Sequence, residues 1–284
     1  MISGRTQVAG ILGGIKQVKL SLSPAIHNAA FKDRGLDWVY VAFGTAEEGL
    51  GKAVRGLAEA GVGGMNVTMP HKVMAMKYMD ELTLQAGAIG ALNTIELSDG
   101  KLVGHNTDGV GLVRYIQQDL GVNLTGSRVL VIGSGGSARA AVAGMSAAGA
   151  DLIRVLARDV GKAEWLHQVA GEVNFETAAL GDVPEEWVPD STVIINATPL
   201  GQKREDPAIS TEAISEHAVV VDLVYRPPVT PLVEAARAKG AVAHSGLGML
   251  LHQAALAFEI WTGTEAPMDA MSAAALSEMT KAES

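Results

Sequence analysis

Short apolar runs recur along the chain, and most of them end at glycine or at a cluster of polar residues. Runs rich in β-branched residues predict buried strands at 7–12, 38–43, 62–67, 129–132, 152–157, 192–195, 219–224 and 241–243. A hairpin is predicted at 94–97 and 101–104, and helical spacing marks 46–60, 249–261 and 267–279. This alternation of strands with helices predicts an α/β fold with a parallel, doubly wound sheet.

The clearest local pattern is a strand, a glycine turn and a helix in that order. The strand at 129–132 is followed at once by Gly133, Gly135 and Gly136, and residues 137–145 are mostly good helix formers. Such a corner lets the backbone approach a pyrophosphate and points the free N–H groups of the helix at it. The spacing is GxGGxxxA rather than the common GxGxxG, so the interpretation depends on the flanking strand and helix. The alternative is a tight turn that binds no ligand.

Composition narrows the class of protein. The chain has 284 residues, enough for two domains, and 48% of them are hydrophobic against 19% charged. A net charge of −9 argues against a nucleic-acid or anionic-membrane partner, and the absence of cysteine excludes disulfides and thiolate zinc sites. The first residues lack a basic segment followed by a long apolar run, and no uncharged apolar run reaches the length of a membrane span. We therefore expect a cytoplasmic protein without a metal site.

A first polar cluster follows the first predicted strand. Ser23 stands before Pro24, which is favoured at the first position of a helix, so we predict that Ser23 caps a helix that runs to about Arg34. Ser21 is not needed for that cap. Two hydroxyls at this spacing before a helix can bind a polyol or a carboxylate. The residues that precede the helix, 15–22, are predicted to form a loop.

A second polar cluster, with Asn66, Thr68 and Lys72, follows the third predicted strand. Ligands of α/β proteins usually bind at such strand ends. A lone lysine is most often a solvated surface residue, but partial burial beside polar groups can lower its pKa toward working pH and suit it to catalysis. His71 is interpreted as a packing or surface residue. Pro70 is expected to end the strand and to favour a helix start.

Taken together, these clusters resemble the motifs of the shikimate dehydrogenase family over nearly the whole chain. The family's SxSPxxHN, NVTxPxK, NT and NTDxxG motifs match residues 21–28, 66–72, 93–94 and 106–111. Its glycine loop and its NATPxG, DxxYxPxxTPL, GxxMLxxQ and WTG motifs match residues 133–138, 196–201, 222–232, 246–253 and 261–263. Several motifs in one order are far more specific than any one of them.

The resemblance implies an N-terminal α/β substrate domain at 1–107, a Rossmann-type dinucleotide domain at 108–244, and C-terminal helices at 245–284 that pack back on the substrate domain. It implies a catalytic pair, Lys72 and Asp108. It also implies a shikimate-like polyhydroxy acid held by Asp108 and by Ser21, Ser23, Asn66, Thr68, Asn93, Tyr225 and Gln253. The cofactor contacts that it implies are Gly133, Ser134, Gly135, Gly136, Ser137, Ala138, Ala157, Arg158, Asp159, Thr198, Leu223, Gly246 and Met249.

The implied reaction is the reversible NAD(P)-dependent reduction of 3-dehydroshikimate to shikimate, a step toward the aromatic amino acids. Lys72 can donate the proton that the forming alkoxide needs, and Asp108 can orient the same hydroxyl and hold Lys72 in place. An opposed carboxylate favours the charged lysine, so the sequence leaves open which of the two moves the proton. Taken alone, Thr107 or Asp108 can equally be the cap of the helix that begins there.

The chain departs from the family pattern at the loop before SxSP, where residues 13–20 form a longer segment that lacks the usual proline, and at Gln202, which replaces a common methionine. A third departure bears on the cofactor, because the family's NRT phosphate clamp reads Ala157, Arg158 and Asp159. Arg158 and Lys162 favour NADP, whereas Asp159 disfavours a 2′-phosphate unless it caps the next helix. NADP is therefore expected to be usable, with NAD as the alternative.

Several alternatives remain open. Within the class, the chain can be an NAD-dependent quinate/shikimate enzyme or an aminoshikimate-type paralogue, and a homodimer is possible. A dinucleotide-binding regulatory protein would need neither Lys72 nor Asp108, so their presence argues against it. A methylene-tetrahydrofolate dehydrogenase has a related two-domain layout, but the SxSP motif and Gln253 favour shikimate over a folate.

Overall fold

The structure is a computed structural model that describes residues 2–281. Its internal contacts divide the chain into two compact units. Unit 1 consists of the residues up to Thr107 together with those from Leu251 onward, and unit 2 consists of Asp108–Leu250. The second boundary between the units therefore lies after Leu250, whereas the sequence predicts it after residue 244. Met1 and residues 282–284, which belong to the predicted first and last segments, lie outside the described residues.

Unit 1 contains a mixed six-stranded sheet. Its strands are β1 (Gln7–Gly13), β2 (Trp38–Gly44), β3 (Gly64–Val67), β4 (Glu81–Leu82), β5 (Thr94–Ser98) and β6 (Lys101–His105). They lie in the order β2-β1-β3-β5-β6-β4, and β1 runs parallel to both β2 and β3. The helices are α1 (Ile15–Lys19), α2 (Ser23–Asp33), α3 (Leu50–Glu59) and α4 (Leu84–Ile89), with 3-10 turns at Glu47–Gly49 and Met74–Tyr78.

Apolar residues of this sheet form the core of unit 1. Leu50 and Val54, predicted to share one face of their helix, are fully buried against Leu12, Met65 and Ile95. Because these side chains come from β1, β3, β5 and α3, their burial fixes the register of the central strands. The carboxyl ends of β1 and β3 therefore lie side by side.

Unit 2 contains a parallel six-stranded sheet. Its strands are β7 (Arg128–Ile132), β8 (Leu152–Ala157), β9 (Asn174–Ala179), β10 (Val193–Asn196), β11 (Val219–Asp222) and β12 (Val242–Ser245), in the order β12-β11-β10-β7-β8-β9. The helices are α5 (Asp108–Arg114), continued by a π-helical turn at Tyr115–Asp119, α6 (Gly136–Ala147), α7 (Val160–Glu164), α8 (His167–Ala170), α9 (Trp187–Asp190) and α10 (Pro231–Ala238).

The central strand of unit 2 shows why this sheet is covered on both faces. Val129 and Val131 of β7 point into one buried cluster, which includes Met145 of α6, and Leu130 points into the opposite cluster, which includes Val233 of α10. A strand buried on both faces needs apolar residues at every position, and this is the pattern by which the sequence predicts it. The predicted doubly wound α/β architecture is confirmed.

The chain ends in two long helices, α11 (Leu247–Thr262) and α12 (Met268–Lys281). Helix α12 packs on α2 within unit 1, and Phe258 of α11 lies 5.5 Å from Phe31 of α2 between ring centroids. The boundary between the two units falls inside α11. None of the helices within residues 2–281 combines the length and hydropathy that a membrane span requires.

Five local expectations were wrong. The predicted loop at 15–22 contains α1, and the predicted helix at 46–60 begins as a 3-10 turn before α3. Pro70 does not start a helix, because the segment turns back and the His71 N–H donates to the Thr68 carbonyl at 3.0 Å. Strand β9 is missing from the prediction, because it is the edge strand and lacks a continuous buried run. The fifth concerns Ser23 and is described with the site.

Candidate active site

The loop after β3 packs directly on the end of β1. Thr68 donates its N–H to the Leu12 carbonyl at 2.9 Å, and the Gly14 N–H donates to the Met69 carbonyl at 3.0 Å. A Cβ at Gly13 would lie 2.4 Å from the Thr68 side chain, so this close approach requires glycine. Thr68 and the half-buried Lys72 are thereby held at the carboxyl edge of the unit 1 sheet.

Asn93 joins distant parts of unit 1. Its Nδ2 donates to Thr107 Oγ1 at 2.8 Å and to Gln253 Oε1 at 3.1 Å. Its Oδ1 accepts from the Thr107 N–H at 2.8 Å and from Thr94 Oγ1 at 3.1 Å. Predicted site residues Asn93 and Gln253 are therefore in direct contact, although 160 positions separate them in the sequence.

The same network continues through Asn66 to the start of α2. Asn66 Nδ2 donates to Thr94 Oγ1 at 3.1 Å and to the Asn93 carbonyl at 3.3 Å, and Asn66 Oδ1 accepts from the Tyr40 hydroxyl at 2.7 Å. The Tyr40 hydroxyl also lies beside the Ser23 side chain. All these residues are buried. We call the set of Ser23, Tyr40, Asn66, Asn93, Thr94, Thr107 and Gln253 the polar network.

Three members of the polar network do not figure among the predicted substrate contacts. Thr94 and Thr107 belong to recognised motifs, and their hydroxyls hydrogen-bond the side chains of Asn66 and Asn93. Tyr40 stands outside every motif, in an apolar strand. The only signal available in the sequence was a phenol at a position expected to be buried, where a hydroxyl needs a partner.

The structure corrects the role of Ser23. Helix α2 begins at Ser23, its cap position is Leu22, and no side chain forms a hydrogen bond from that position. Ser21 instead accepts the Ser23 N–H on its Oγ at 3.1 Å. The predicted cap is wrong because the chain is already helical at Leu22, which places the Ser23 side chain on the buried face of the helix.

In unit 2 the predicted dinucleotide corner is present, with β7, a glycine turn and the twelve-residue helix α6. Gly133 has φ of 119°, and a Cβ there would lie 3.1 Å from the Ala197 carbonyl oxygen, so only glycine fits without strain. Helix α6 has no side-chain cap, and Gly135 before it is exposed. Its first N–H groups can therefore bind a phosphate, and the corner fits a dinucleotide.

Helix α5 is packed tightly against that helix. Asp108, its first residue, is buried, and Gly109 follows. A Cβ at Gly109 would lie 2.5 Å from the Ala140 carbonyl oxygen, and one at Gly144 would lie 2.7 Å from the Gly109 carbonyl oxygen. These two glycines let the helix backbones touch, which fixes Asp108 relative to α6 within unit 2.

The loop after β8 carries the departure from the family's phosphate clamp. Ala157 is buried at the end of β8, whereas Arg158 and Asp159 are exposed. Asp159 caps α7, because its Oδ1 accepts the Lys162 N–H at 3.2 Å, and its Oδ2 lies 3.3 Å from Lys162 Nζ. These bonds from Lys162 hold the pKa of Asp159 below its usual value. The capping alternative is thus the one observed.

A buried carboxylate organises the neighbouring loops of unit 2. Asp222 is fully buried and accepts hydrogen bonds from Asn196 Nδ2 at 2.8 Å, the Val224 N–H at 3.0 Å and Thr230 Oγ1 at 2.6 Å. Burial nevertheless raises the pKa of Asp222, against the effect of these donors. The NATPxG and DxxYxPxxTPL segments are tied together by this one side chain.

The remaining predicted cofactor residues lie beside these loops. Thr198 donates its N–H and its hydroxyl to Asn196 Oδ1 at 3.1 and 2.7 Å. A Cβ at Gly246 would lie 2.5 Å from the Leu223 carbonyl oxygen, so the start of α11 touches the end of β11. Met249 packs in the core of unit 2. Tyr225 is half-buried three residues after Asp222.

Within residues 2–281, no group of three histidine, aspartate or glutamate side chains could hold a metal ion. The fold and these two sets of residues define a class: an α/β oxidoreductase with a dinucleotide corner in one unit and a buried polar network in the other.

Comparison with known proteins identifies the family. The family models that match are the shikimate dehydrogenase substrate binding domain at residues 14–95, shikimate / quinate 5-dehydrogenase at 114–239, and the shikimate 5'-dehydrogenase C-terminal domain at 246–276. The chain is 42% identical to the shikimate dehydrogenase (NADP(+)) of Methanopyrus kandleri over 98% of both proteins. The chain belongs to the shikimate dehydrogenase family.

Solved structures agree with this assignment. A shikimate dehydrogenase in complex with NADP+ has a TM-score of 0.90 at 38% identity, with 98% of each chain covered. The Listeria monocytogenes shikimate 5-dehydrogenase in complex with shikimate and NAD has a TM-score of 0.87 at 34% identity, covering 95% of this chain and 96% of that one. Relatives of this fold are therefore known with either dinucleotide.

Proposed function

We propose that the protein interconverts 3-dehydroshikimate and shikimate with a nicotinamide dinucleotide, as a step in the synthesis of aromatic amino acids. The observation that carries the proposal is the polar network, which brings Ser23, Asn66, Asn93 and Gln253 together in unit 1. A polyhydroxy acid loses its water on binding, so it needs a site rich in hydroxyl and carboxamide groups. The names of the relatives support the same substrate.

We further propose that unit 1 binds the substrate and that unit 2 binds the dinucleotide. Ser21 and Thr68 belong to unit 1, as the polar network does, whereas the predicted substrate residues Asp108 and Tyr225 belong to unit 2. In unit 2, the turn at 133–138 would hold the pyrophosphate, and Arg158 would meet the adenosine ribose or its phosphate. Thr198, Leu223, Gly246 and Met249 would line the remainder of the dinucleotide site.

The corner would hold a reduced dinucleotide, which when bound would supply a hydride for reduction of the substrate ketone to an alkoxide. Lys72 and Asp108 would then complete the reaction. Lys72 donates a proton to the alkoxide oxygen and accepts it again in the direction of oxidation. Asp108 is buried at the start of α5, and the packing of α5 on α6 fixes its position. Its carboxylate would orient the substrate hydroxyl that forms when Lys72 donates its proton.

Both dinucleotides are proposed to serve, with NADP the better one. Arg158 is exposed and can pair with a 2′-phosphate. The carboxylate of Asp159, which would repel that phosphate, is occupied by Lys162 through the cap and the ion pair. The curated relatives carry NADP in their names. Location in the cytoplasm and assembly as a homodimer also remain proposals.

The test is a steady-state assay of the purified protein with shikimate, quinate and aminoshikimate, each with NADP and with NAD. We expect the highest kcat/KM with shikimate and NADP. A higher kcat/KM with quinate would assign the protein to the quinate/shikimate class instead. Binding of a dinucleotide without turnover of any of the three acids would favour the regulatory alternative.

A further inference from the structure

Tyr40 sits at the junction between the predicted substrate residues of α2 and those of β3. It lies in β2, the edge strand of the unit 1 sheet, yet only 2% of it is exposed. Its hydroxyl donates to Asn66 Oδ1 at 2.7 Å and lies beside the Ser23 side chain. The phenol therefore holds one side chain to which the proposed function assigns substrate binding and lies beside a second.

Two residues of helix α2 contact Tyr40 directly. His27, one helical turn after Ser23, stacks on the Tyr40 ring with 4.4 Å between ring centroids and 11° between planes. The Asn28 side chain donates from Nδ2 to the Tyr40 carbonyl at 2.9 Å and accepts the Tyr40 N–H on Oδ1 at 2.8 Å. Tyr40 is thus fixed at its backbone and its ring by two residues of one motif.

The two backbone bonds from Asn28 have a particular reason. Among residues 2–281, no further strand pairs with the backbone of Tyr40 at the outer edge of β2, so its N–H and carbonyl would otherwise remain without sheet partners. A carboxamide offers one donor and one acceptor at the spacing of a peptide group. Asn28 therefore replaces the missing strand at this residue, and it also donates to the Pro24 carbonyl at 2.7 Å.

The Asn93 carbonyl can only accept, so it determines that Nδ2 of the Asn66 carboxamide faces it, and the bond from Tyr40 to Oδ1 holds the carboxamide in that orientation. The two ends of an asparagine amide have nearly the same shape, so hydrogen bonds alone determine its orientation. With Oδ1 held by the Tyr40 hydroxyl, Nδ2 points toward Thr94 and the Asn93 carbonyl. Burial raises the pKa of Tyr40 well above its usual value, so the phenol remains a donor throughout the neutral range.

We propose that Tyr40 is a positioning residue for substrate binding: its hydroxyl holds the Asn66 carboxamide in the orientation that binds the polyhydroxy acid, and His27 and Asn28 hold Tyr40 in place. The inference rests on the proposed function. It also gives the histidine and asparagine of the SxSPxxHN segment a role, although neither belongs to the predicted substrate set.

The test compares Tyr40→Phe with the wild type in the oxidation of shikimate. The variant keeps the ring and removes only the hydroxyl, so we expect KM for shikimate to rise about tenfold while kcat changes less than about threefold. KM for NADP should stay within about twofold of the wild-type value. The matched control is Tyr78→Phe, whose half-buried ring lies against Gly51 in unit 1, and it should leave all three constants unchanged.

A double-mutant cycle separates positioning from a general loss of structure. In an Asn66→Ala background, Tyr40→Phe should raise KM by less than about twofold, because the group it orients is gone. Asn28→Ala, which leaves the hydroxyl in place, should raise KM in the same direction by a smaller factor. An equal loss in both backgrounds, or a Tyr40→Phe enzyme with wild-type KM for shikimate, would overturn the role of Tyr40 alone. A wild-type protein inactive on shikimate would overturn the proposed function and this inference together.

Discussion

The buried histidine of α2 makes the stability of the protein depend on pH in a way that one substitution can isolate. His27 is fully enclosed between Tyr40, Phe31 and Trp261, whose ring centroids lie 4.4 to 6.3 Å from its own. Burial lowers the pKa of His27 from 6.5 to about 3, against a smaller opposing effect of the neighbouring Asn66 side chain. The folded protein therefore keeps this imidazole neutral where the unfolded chain protonates it.

The sign and size of the effect follow from proton linkage. The pKa of His27 is lower in the folded than in the unfolded state. Its contribution to the free energy of unfolding is therefore fully present above the unfolded pKa of about 6.5 and is lost as the pH falls toward about 3. A pH of about 5 lies about 1.5 units below the unfolded pKa, and each unit stabilises the protonated unfolded state by about 1.4 kcal/mol. His27 alone should thus cost the folded state about 2 kcal/mol between about pH 8 and about pH 5.

The measurement is the free energy of unfolding of the wild type and of His27→Phe by denaturant at several pH values, followed by tryptophan fluorescence. Phenylalanine keeps a flat ring in the stack and cannot be protonated, so the wild type should lose about 2 kcal/mol more than the variant over this range. His217→Gln is the control, since the His217 side chain is 87% exposed. A difference between wild type and His27→Phe that stays constant with pH would refute the reasoning.

Three further outcomes test the site. Lys72→Ala and Asp108→Asn should each lower kcat at least about a hundredfold, because each removes a positioned proton-transfer group, and near-normal kcat on shikimate would remove that residue from the mechanism. Ser21→Ala should destabilise the start of α2 by about 1 kcal/mol, measured by thermal unfolding, because the Ser21 Oγ accepts the Ser23 N–H. The same variant should raise KM for shikimate in a steady-state assay. Asp159→Thr should change the NADP-to-NAD ratio of kcat/KM by less than about threefold because Asp159 caps α7, and a tenfold shift toward NADP would show that its carboxylate meets the ribose.

The fold of unit 2 was predictable from the sequence because its central strands are buried on both faces. Such strands need unbroken apolar runs, and the run at 129–132 together with Gly133 leaves few other interpretations. The edge strand β9 escaped prediction because half of its residues are exposed or polar, as at Asn174, Glu176 and Thr177. Helix α1 escaped for a related reason, since only Val18 of its five residues is buried, and a single apolar contact leaves no periodic pattern.

The helix start at α2 shows a limit of another kind. A serine before a proline is a common cap, yet the chain becomes helical one residue earlier, and Ser21 supplies the hydroxyl that bonds the Ser23 N–H. Spacing alone cannot tell these two arrangements apart, because in either of them a serine hydroxyl precedes the first full turn. What decides between them is the burial of Ser23 beside Tyr40, which involves a residue seventeen positions away.

Sequence motifs do not distinguish side chains that face a ligand from side chains that orient those ligand-facing residues, whereas the contacts in the candidate site do. Asn93 has protein partners on both ends of its carboxamide, and Asn66 has its oxygen bound by Tyr40. In a buried network each group that loses its partner costs free energy and can turn to a wrong orientation, so the supporting residues are as restricted as those that touch substrate. His27 and Asn28 are recognised by the same sequence pattern as the two serines, and only the three-dimensional contacts reveal that they act on Tyr40. A substitution at either should therefore be tolerated only when it preserves the stacked ring or the paired carboxamide.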